Sequence, residues 1–366
     1  MPIFFKPKSV TVPPQVVTEA ALQTTHPTIT AEATLPEPPQ PTAVETTGAE
    51  NMSDQTASPA TVSNEPTLAE ATLARVQAAY VTSTNTEKTA KPKRKLIKPK
   101  KAATEPTEST KPKIGIAFGG GGFKGTAHIG VLKVLDEYGI KADMVAGTSI
   151  GSAVAALYAS GYTWQMMEQL FTKFDLESFI KVRPSRQGLI PATGYTELIH
   201  TCVKGKRIED MDIPLKIVAV DLVSWQKVVF DKGETALAVR ASSSIPGVLT
   251  PVKMGNMLLA DGYILDNCPC GIVREMGADI VIGICLFSPN HAEPQNMVEV
   301  INRSLDIATA ANLRVDADWK LFPIPHYIES MSTKALFECM QWGEEAARAK
   351  IDELLELIAE KTGGEA

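Results

Sequence analysis

Ser149 lies in a pentapeptide, residues 147–151, that has the sequence Gly-Thr-Ser-Ile-Gly and fits the pattern G-x-S-x-G. The pentapeptide stands between an apolar run that predicts a strand and an alanine-rich run that predicts a helix. Such a strand-to-helix turn lifts a serine hydroxyl clear of the sheet, and flanking glycines let the neighbouring backbones approach closely. The following helix also points its amide dipoles at the reacting group. The pattern therefore predicts the nucleophile of an acyl hydrolase, and a tight turn capped by a serine is the structural alternative.

A second glycine-rich segment, residues 120–125, has the sequence Gly-Gly-Gly-Phe-Lys-Gly and also joins a predicted strand to a predicted helix. It fits G-x-G-x-x-G, which is typical of dinucleotide-binding turns, but consecutive glycines also expose N–H groups that can converge on a developing alkoxide. A dinucleotide site would have an acidic residue at the end of the second strand, about 20 residues on. Because the Ser149 pentapeptide stands there instead, we favour an oxyanion hole built from the N–H groups of this glycine-rich segment.

A serine hydroxyl is a weak nucleophile and needs a base. His128 is flanked by apolar residues in a predicted helix, and we interpret it as a packed side chain. A Ser–His–Asp triad in the order of the α/β-hydrolases would need a late histidine, either His291 or His326. Asp261, followed by Gly262, ends a predicted strand, where a carboxylate can face the serine. We therefore favour Asp261 as the base and keep the triad as the alternative.

Several motifs, taken in this order, resemble those of the patatin-like phospholipases. The family's G-G-G-x-[K/R]-G loop, A-H-I-G-V-L helix start, G-[T/C]-S-I-G-S turn, A-S-x-x-x-P-G segment and D-G-x-x-x-[D/x]-N-x-P loop are matched at residues 120–125, 127–132, 147–152, 241–247 and 261–269. The resemblance covers about residues 113–360.

The resemblance implies a Ser–Asp dyad without histidine on a three-layer α/β/α patatin-like fold with a largely parallel central sheet. Ser149 would be the nucleophile and Asp261 the general base. The oxyanion hole and the supporting motif glycines would then be Gly120, Gly121 and Gly122, with Gly125, Gly147, Gly151 and Gly262.

Two positions near these motifs have open interpretations. Lys124 stands where family members often have Arg or Lys, and it either fixes the glycine loop or is a solvated lysine. Tyr263 stands where the family usually has Gly or Ala. Its bulk beside the base either narrows the acyl pocket or points outward.

The elements that must position these residues alternate between short apolar runs and helical patterns, which predicts an α/β fold with a mainly parallel sheet covered on both faces. The predicted strands are residues 114–118, 142–146, 215–220, 227–230, 257–260 and 279–285. The predicted helices are residues 125–138, 153–161, 164–174, 194–203, 293–312 and 334–361.

Composition separates residues 1–112 from the remainder. They contain 15 of the 25 prolines but one of the 25 glycines, and such a segment buries too little apolar surface to offset the entropy of ordering it. We predict a disordered tail over 1–112 and a catalytic domain over 113–362, with its core motifs in 116–275. Residues 88–101 carry eight Lys/Arg and no acid. Such a block either contacts an anionic membrane or another polyanion or, as we favour, is a solvated linker; no specific nucleic acid is expected.

Together these patterns predict a serine acyl hydrolase that cleaves fatty acyl esters of lipids, of phospholipase A or lysophospholipase type, without a cofactor or metal. A weakly active or inactive scaffold recruited to a membrane is the main alternative, and a dinucleotide-binding protein is a third. The sequence has no run of about 18 apolar residues, no apolar signal-peptide core at its start, and an odd number of cysteines, five. We expect a cytoplasmic protein, and peripheral association at the inner membrane surface through 88–101 is the alternative to a solvated linker.

Overall fold

The computed structural model describes residues 28–33, 111–173, 193–287, 293–326, 328 and 335–363. Most of the predicted tail, including the basic block 88–101, and the candidate His291 lie outside the described residues. Within the segment predicted to be a tail, the structure describes a strand over Thr28–Ala33.

Nine strands in the described part of the chain form one sheet. Two of its central strands, with sequences Ile-Gly-Ile-Ala-Phe and Ile-Val-Ile-Gly-Ile, are buried along their whole length, as expected for strands covered on both faces. The strands are β1 (Thr28–Ala33), β2 (Ile114–Phe118), β3 (Met144–Thr148), β4 (Leu215–Asp221), β5 (Gln226–Gly233), β6 (Val252–Met254), β7 (Met257–Asp261), β8 (Ile280–Ile284) and β9 (Trp319–Leu321).

The strand order is β1-β5-β4-β3-β2-β8-β9. β2, β3, β4, β8 and β9 run parallel to one another, whereas β4 pairs antiparallel with β5 and with β7, and β7 pairs antiparallel with β6. β1 pairs in parallel with β5 at the edge of the sheet. Because β2, β3 and β4 point the same way, the turns that follow them lie at one edge of the sheet, which we call the carboxyl edge.

Helices cover both faces of this sheet. The larger core packs helices α1 (Thr126–Glu137), α2 (Ile150–Ala159), α5 (Thr235–Ser242) and α8 (Leu336–Lys361), together with α3 (Trp164–Lys173) and α4 (Thr193–Cys202), against one face. The short helix α6 (Cys270–Glu275) packs against the other face. Helix α7 (Met297–Asn312) contacts the turn that follows β7. No helix in the described ranges is long and apolar enough to cross a membrane.

The predicted fold class, a three-layer α/β/α arrangement with a mostly parallel sheet, is confirmed. The second predicted strand, residues 142–146, is displaced by two residues, because backbone pairing with β4 fixes β3 at Met144–Thr148. Helix α5, whose residues are all buried, was not predicted.

Candidate active site

Two strand ends meet along one side of β4. β3 runs parallel to β4 and pairs with it as far as Thr148 opposite Val218. β7 runs the other way along the same side and ends at Asp261, opposite Ala219. The carboxyl ends of β3 and β7 therefore face each other across adjacent positions of β4. This arrangement brings together Ser149 and Asp261, which are 112 residues apart in the sequence.

Ser149 occupies the turn between β3 and α2 with a strained backbone, φ 54° and ψ −128°. A non-glycine residue with positive φ is uncommon and costs free energy, so such strain is a recurring property of functional turns. The flanking glycines explain how the turn closes, because a Cβ on Gly147 would meet the Gly151 carbonyl and a Cβ on Gly151 would meet the Phe118 carbonyl. The predicted strand-to-helix turn is present.

The Ser149 hydroxyl donates a hydrogen bond of 2.6 Å to Asp261 Oδ2. The other carboxylate oxygen, Oδ1, accepts the Tyr263 backbone N–H at 3.0 Å. Asp261 is fully buried, and burial raises the pKa of its carboxyl to about 7, against the opposing effect of these two hydrogen bonds. A serine hydroxyl held against a carboxylate that titrates near neutral pH is a geometry suited to general-base activation.

The segment 242–244 contacts the backbone of both residues. The Ser242 hydroxyl accepts the Ser149 N–H at 2.8 Å and donates to the Val218 carbonyl at 2.6 Å. Two residues on, the Ser244 carbonyl accepts the Asp261 N–H at 3.0 Å. One short segment thus holds Ser149 and Asp261 in register with β4.

Arg240 closes the loop that carries this segment. Its guanidinium donates to the Ser244 hydroxyl and to the Thr250 carbonyl, and burial lowers its pKa to about 10. Residues 241–247 match a family segment, but the sequence indicated no role for them. The run of three serines beside a buried arginine was the available signal.

The three glycines predicted to form an oxyanion hole differ in the state of their N–H groups. The Gly120 N–H is already bonded to the Asn267 backbone and side-chain oxygens, both at 3.0 Å. The N–H groups of Gly121 and Gly122 have no hydrogen-bond partner within the described ranges. A Cβ on Gly121 would approach the Leu286 Cβ to 2.7 Å, so the loop needs glycine there.

The remaining motif glycines lie where other groups approach their backbone. A Cβ on Gly125 would meet the Ile150 side chain, and a Cβ on Gly262 would meet the Val218 carbonyl. The glycine loop therefore lies close against α2, and the Asp261 turn lies close against β4.

His128 is a packed helix residue, as predicted, and it also supports the glycine loop. It is fully buried, and its Nε2–H donates to the Gly119 carbonyl at 2.8 Å. Burial lowers its pKa to about 4, so the imidazole is neutral at pH 7. His326 packs edge-on against Trp342. No histidine in the described part of the chain is hydrogen-bonded to Ser149 or Asp261.

The two open positions are resolved by burial. Lys124 is 8% exposed beside Gly121, and burial lowers its pKa, so the solvated-lysine alternative is wrong. The Tyr263 hydroxyl is buried and has no hydrogen-bond partner in the described structure, so its ring does not point into solvent. Its carbonyl accepts the Thr309 hydroxyl of α7 at 3.3 Å.

The five cysteines are free and buried. Cys268 and Cys270 lie with their sulfurs 3.7 Å apart, and hydrogen bonding with the neighbouring thiols, together with burial, holds the pKa of Cys268 well above its usual value. The described residues contain no group of three or more His, Cys, Asp or Glu side chains that could hold a metal ion.

Part of this chain matches a known protein family. The patatin-like phospholipase family model matches residues 116–274. An uncharacterised NTE family protein of Mycobacterium tuberculosis is 32% identical over 219 residues, which are 58% of this chain and 61% of that protein. Human patatin-like phospholipase domain-containing protein 6 is 34% identical over 189 residues, which are 49% of this chain and 14% of that protein.

Among solved structures, VipD from Legionella pneumophila is similar with a TM-score of 0.45 and 13% identity, covering 66% of this chain and 67% of VipD. The fold and the site together define an α/β protein with a serine at a strand-to-helix turn and a buried carboxylate beside it. Residues 116–274 match the model of the patatin-like phospholipase family.

Proposed function

We propose that this protein is a serine acyl hydrolase that cleaves fatty acyl esters of lipids, of phospholipase A or lysophospholipase type, through a Ser149–Asp261 dyad. The observation that carries the proposal is the 2.6 Å hydrogen bond from the Ser149 hydroxyl to the buried Asp261 carboxylate. The family match over residues 116–274 supports the substrate class. We assign catalysis to the unit 113–362.

In the first half-reaction, Asp261 accepts the Ser149 proton while Oγ attacks the ester carbonyl. A pKa of about 7 leaves a substantial fraction of the carboxyl ionised at neutral pH and makes its conjugate acid strong enough to protonate the leaving alcohol. Water activated by the same carboxylate then hydrolyses the acyl-enzyme and releases the fatty acid. No cofactor enters this sequence.

We assign the oxyanion to the N–H groups of Gly121 and Gly122 and not to that of Gly120. The Gly120 N–H serves to hold the loop against Asn267, whereas the other two are unpaired within the described ranges. Donors fixed in advance at the position where charge develops are commonly the largest single contribution to such catalysis.

An apolar cluster beside the dyad suits a fatty acyl chain. Val248 is packed with Tyr195, Ile245, Leu249 and Val298 from the loop after α5 and from helices α4 and α7. The Tyr195 hydroxyl lies 3.3 Å from the Ser243 hydroxyl. In the sequence, Ser243 stands between the two serines that contact the dyad backbone. We therefore place the acyl chain against this cluster.

The decisive experiment compares fatty acid release from phosphatidylcholine, lysophosphatidylcholine and a soluble short-chain ester by wild type and Ser149→Ala. Loss of the nucleophile should lower kcat by about 10⁴-fold or more with an unchanged melting temperature. Ser160→Ala, at the other end of α2, is the matched serine control and should keep full activity.

Labelling with a fluorophosphonate probe separates this proposal from the scaffold alternative. We expect one label on wild type that is absent from Ser149→Ala. Hydrolysis that survives in Ser149→Ala would disprove the assignment. A folded wild type that neither hydrolyses these esters nor takes the label would favour the scaffold.

A further inference from the structure

The turn between β4 and β5, residues 222–225, exposes a compact set of apolar side chains that we call the hairpin tip. Its sequence is Leu-Val-Ser-Trp. Leu222 is 39% exposed, Val223 63% and Trp225 78%. Scattered exposed apolar residues are ordinary on protein surfaces, but three within four consecutive residues are a local concentration.

The backbone of the hairpin tip satisfies its N–H groups internally. The Asp221 side chain accepts the N–H groups of Val223 and Ser224, both at 3.1 Å, and the Ser224 hydroxyl at 2.6 Å. The Leu222 N–H donates to the Leu258 carbonyl and the Trp225 N–H to the Asp221 carbonyl. The tip therefore exposes apolar side chains while all four of its N–H groups are hydrogen-bonded, as an apolar medium requires.

The negative charge beside the tip is buried and stabilised by the same bonds. Asp221 is 3% exposed, and a fourth hydrogen bond comes from the Leu258 N–H at 2.9 Å. Burial alone would raise the pKa of Asp221, and the hydrogen bonds outweigh that effect and lower it. Its carboxylate is thus turned inward, and the tip itself carries no charged residue.

Trp225 occupies a backbone position that disfavours it. Its φ is +61°, in the left-handed region where hairpin loops normally have Gly, Asn or Asp. A bulky aromatic residue at such a φ is strained, and an indole that is 78% exposed gains little from packing. Stability of the folded chain does not explain this residue, whereas indole rings are enriched at the boundary between lipid and water.

The hairpin tip lies at the carboxyl edge, near the proposed dyad. It follows β4, whose Ala219 pairs with Asp261. Leu222 is three residues further along, which is about 10 Å at roughly 3.3 Å per residue. An apolar tip at this distance can enter a lipid surface while the dyad stays next to it.

We propose that the hairpin tip docks the protein on the surface of a lipid bilayer by inserting Val223 and Trp225 among the lipid chains. The inference rests on the proposed function, because docking on a bilayer brings the dyad to lipid substrates. Because the tip is uncharged, docking takes place on zwitterionic phosphatidylcholine and is insensitive to salt. This distinguishes it from binding by the basic block 88–101, which would need anionic lipid and would weaken with salt.

The test uses the full chain carrying Ser149→Ala, so that the vesicles are not consumed, and measures cosedimentation with phosphatidylcholine vesicles. The variant Val223→Ser/Trp225→Gly removes the two most exposed apolar groups and places glycine where φ is positive, so it should fold at least as well as its parent. We expect binding to fall by about tenfold or more. The control Tyr138→Ser removes an aromatic side chain, 46% exposed, at the end of α1 on the opposite edge and should bind normally.

A second measurement uses the same tip substitutions in the chain with Ser149 intact. Hydrolysis of phosphatidylcholine vesicles should fall by a similar factor, while hydrolysis of a soluble short-chain ester should stay within about twofold, since no tip residue is hydrogen-bonded to Ser149 or Asp261 in the described structure. In the parent, insertion should shift tryptophan emission to shorter wavelength, and the tip variant should lose the shift.

The outcomes are separable. Equal vesicle binding with and without the tip residues would overturn the proposal, as would binding that requires anionic lipid and disappears in salt. A tip variant that loses self-association instead of vesicle binding would identify a second copy as the occupant and overturn it too. Vesicle binding that depends on the tip, in a wild type that hydrolyses no ester, would refute the proposed function and leave the docking surface standing.

Discussion

Replacing Asp261 by asparagine should change how the stability of this protein depends on pH. Asparagine keeps the shape of the side chain, and its oxygen can accept the Tyr263 N–H while its amide faces the Ser149 hydroxyl, but it does not ionise. In wild type, burial raises the pKa of Asp261 from 3.8 to about 7. The folded state therefore keeps a proton that the unfolded chain releases between these two pH values.

The sign and size follow from that shift. A raised pKa of an acid contributes stability that is present below the unfolded pKa and is lost as pH rises through the folded one. A shift of about 3 units at 1.36 kcal/mol per unit corresponds to about 4 kcal/mol. Relative to Asp261→Asn, wild type should therefore lose about 4 kcal/mol of unfolding free energy between pH 4 and pH 8, mostly below pH 7.

Urea denaturation of both proteins across pH 4–8 measures this difference. The comparison must be made between the two proteins, because His128 acts in the opposite direction within wild type itself. Burial lowers the pKa of His128 to about 4, so its contribution is lost as pH falls below 6.5. Subtracting the unfolding free energy of one protein from that of the other at each pH removes this effect, since both proteins contain His128.

The kinetic counterpart is a wild-type kcat/KM for a soluble ester that rises about tenfold per pH unit up to about pH 7 and then levels off. An unfolding free-energy difference that does not vary with pH would refute the raised pKa. A pH–rate profile that is flat through pH 7, with stability behaving as described, would refute the role of Asp261 as the base.

Two further substitutions test how the site is held. Ser242→Ala leaves the buried N–H of Ser149 and a β4 carbonyl unpaired. It should therefore lower the unfolding free energy by about 1–3 kcal/mol and slow fluorophosphonate labelling. The neighbouring control, Ser243→Ala, should be labelled at the normal rate. Gly121→Ala drives a methyl group towards Leu286 and displaces the loop, so kcat should fall on the order of 10²-fold, whereas Gly271→Ala, where a Cβ meets nothing within 4 Å, should leave it unchanged. Normal kinetics in Ser242→Ala or Gly121→Ala would show that the contact does not position the dyad or the oxyanion donors.

Local patterns in the sequence predicted those features of this protein that depend on neighbouring residues. Short apolar runs buried on both faces predicted β2 and β8, and glycines at fixed spacing predicted the turn that carries Ser149. These signals are local because a buried strand needs a run of consecutive apolar residues and a tight turn needs glycines at fixed positions. The position of Asp261 at the end of a predicted strand, together with the family resemblance, favoured it over the histidines as the candidate base.

Tertiary structure decided what depends on contacts between distant residues. That β3 and β7 end against adjacent positions of β4 is a property of strand pairing, and no spacing in the sequence shows it. The role of Ser242 was missed for the same reason, because its hydroxyl acts on a backbone 93 residues away. The hydrogen bonds from the Gly120 N–H to Asn267 also depend on the tertiary structure, because the two residues are 147 positions apart in the sequence. The sequence determined which groups can carry the chemistry, and the packing of the sheet decided which of them meet.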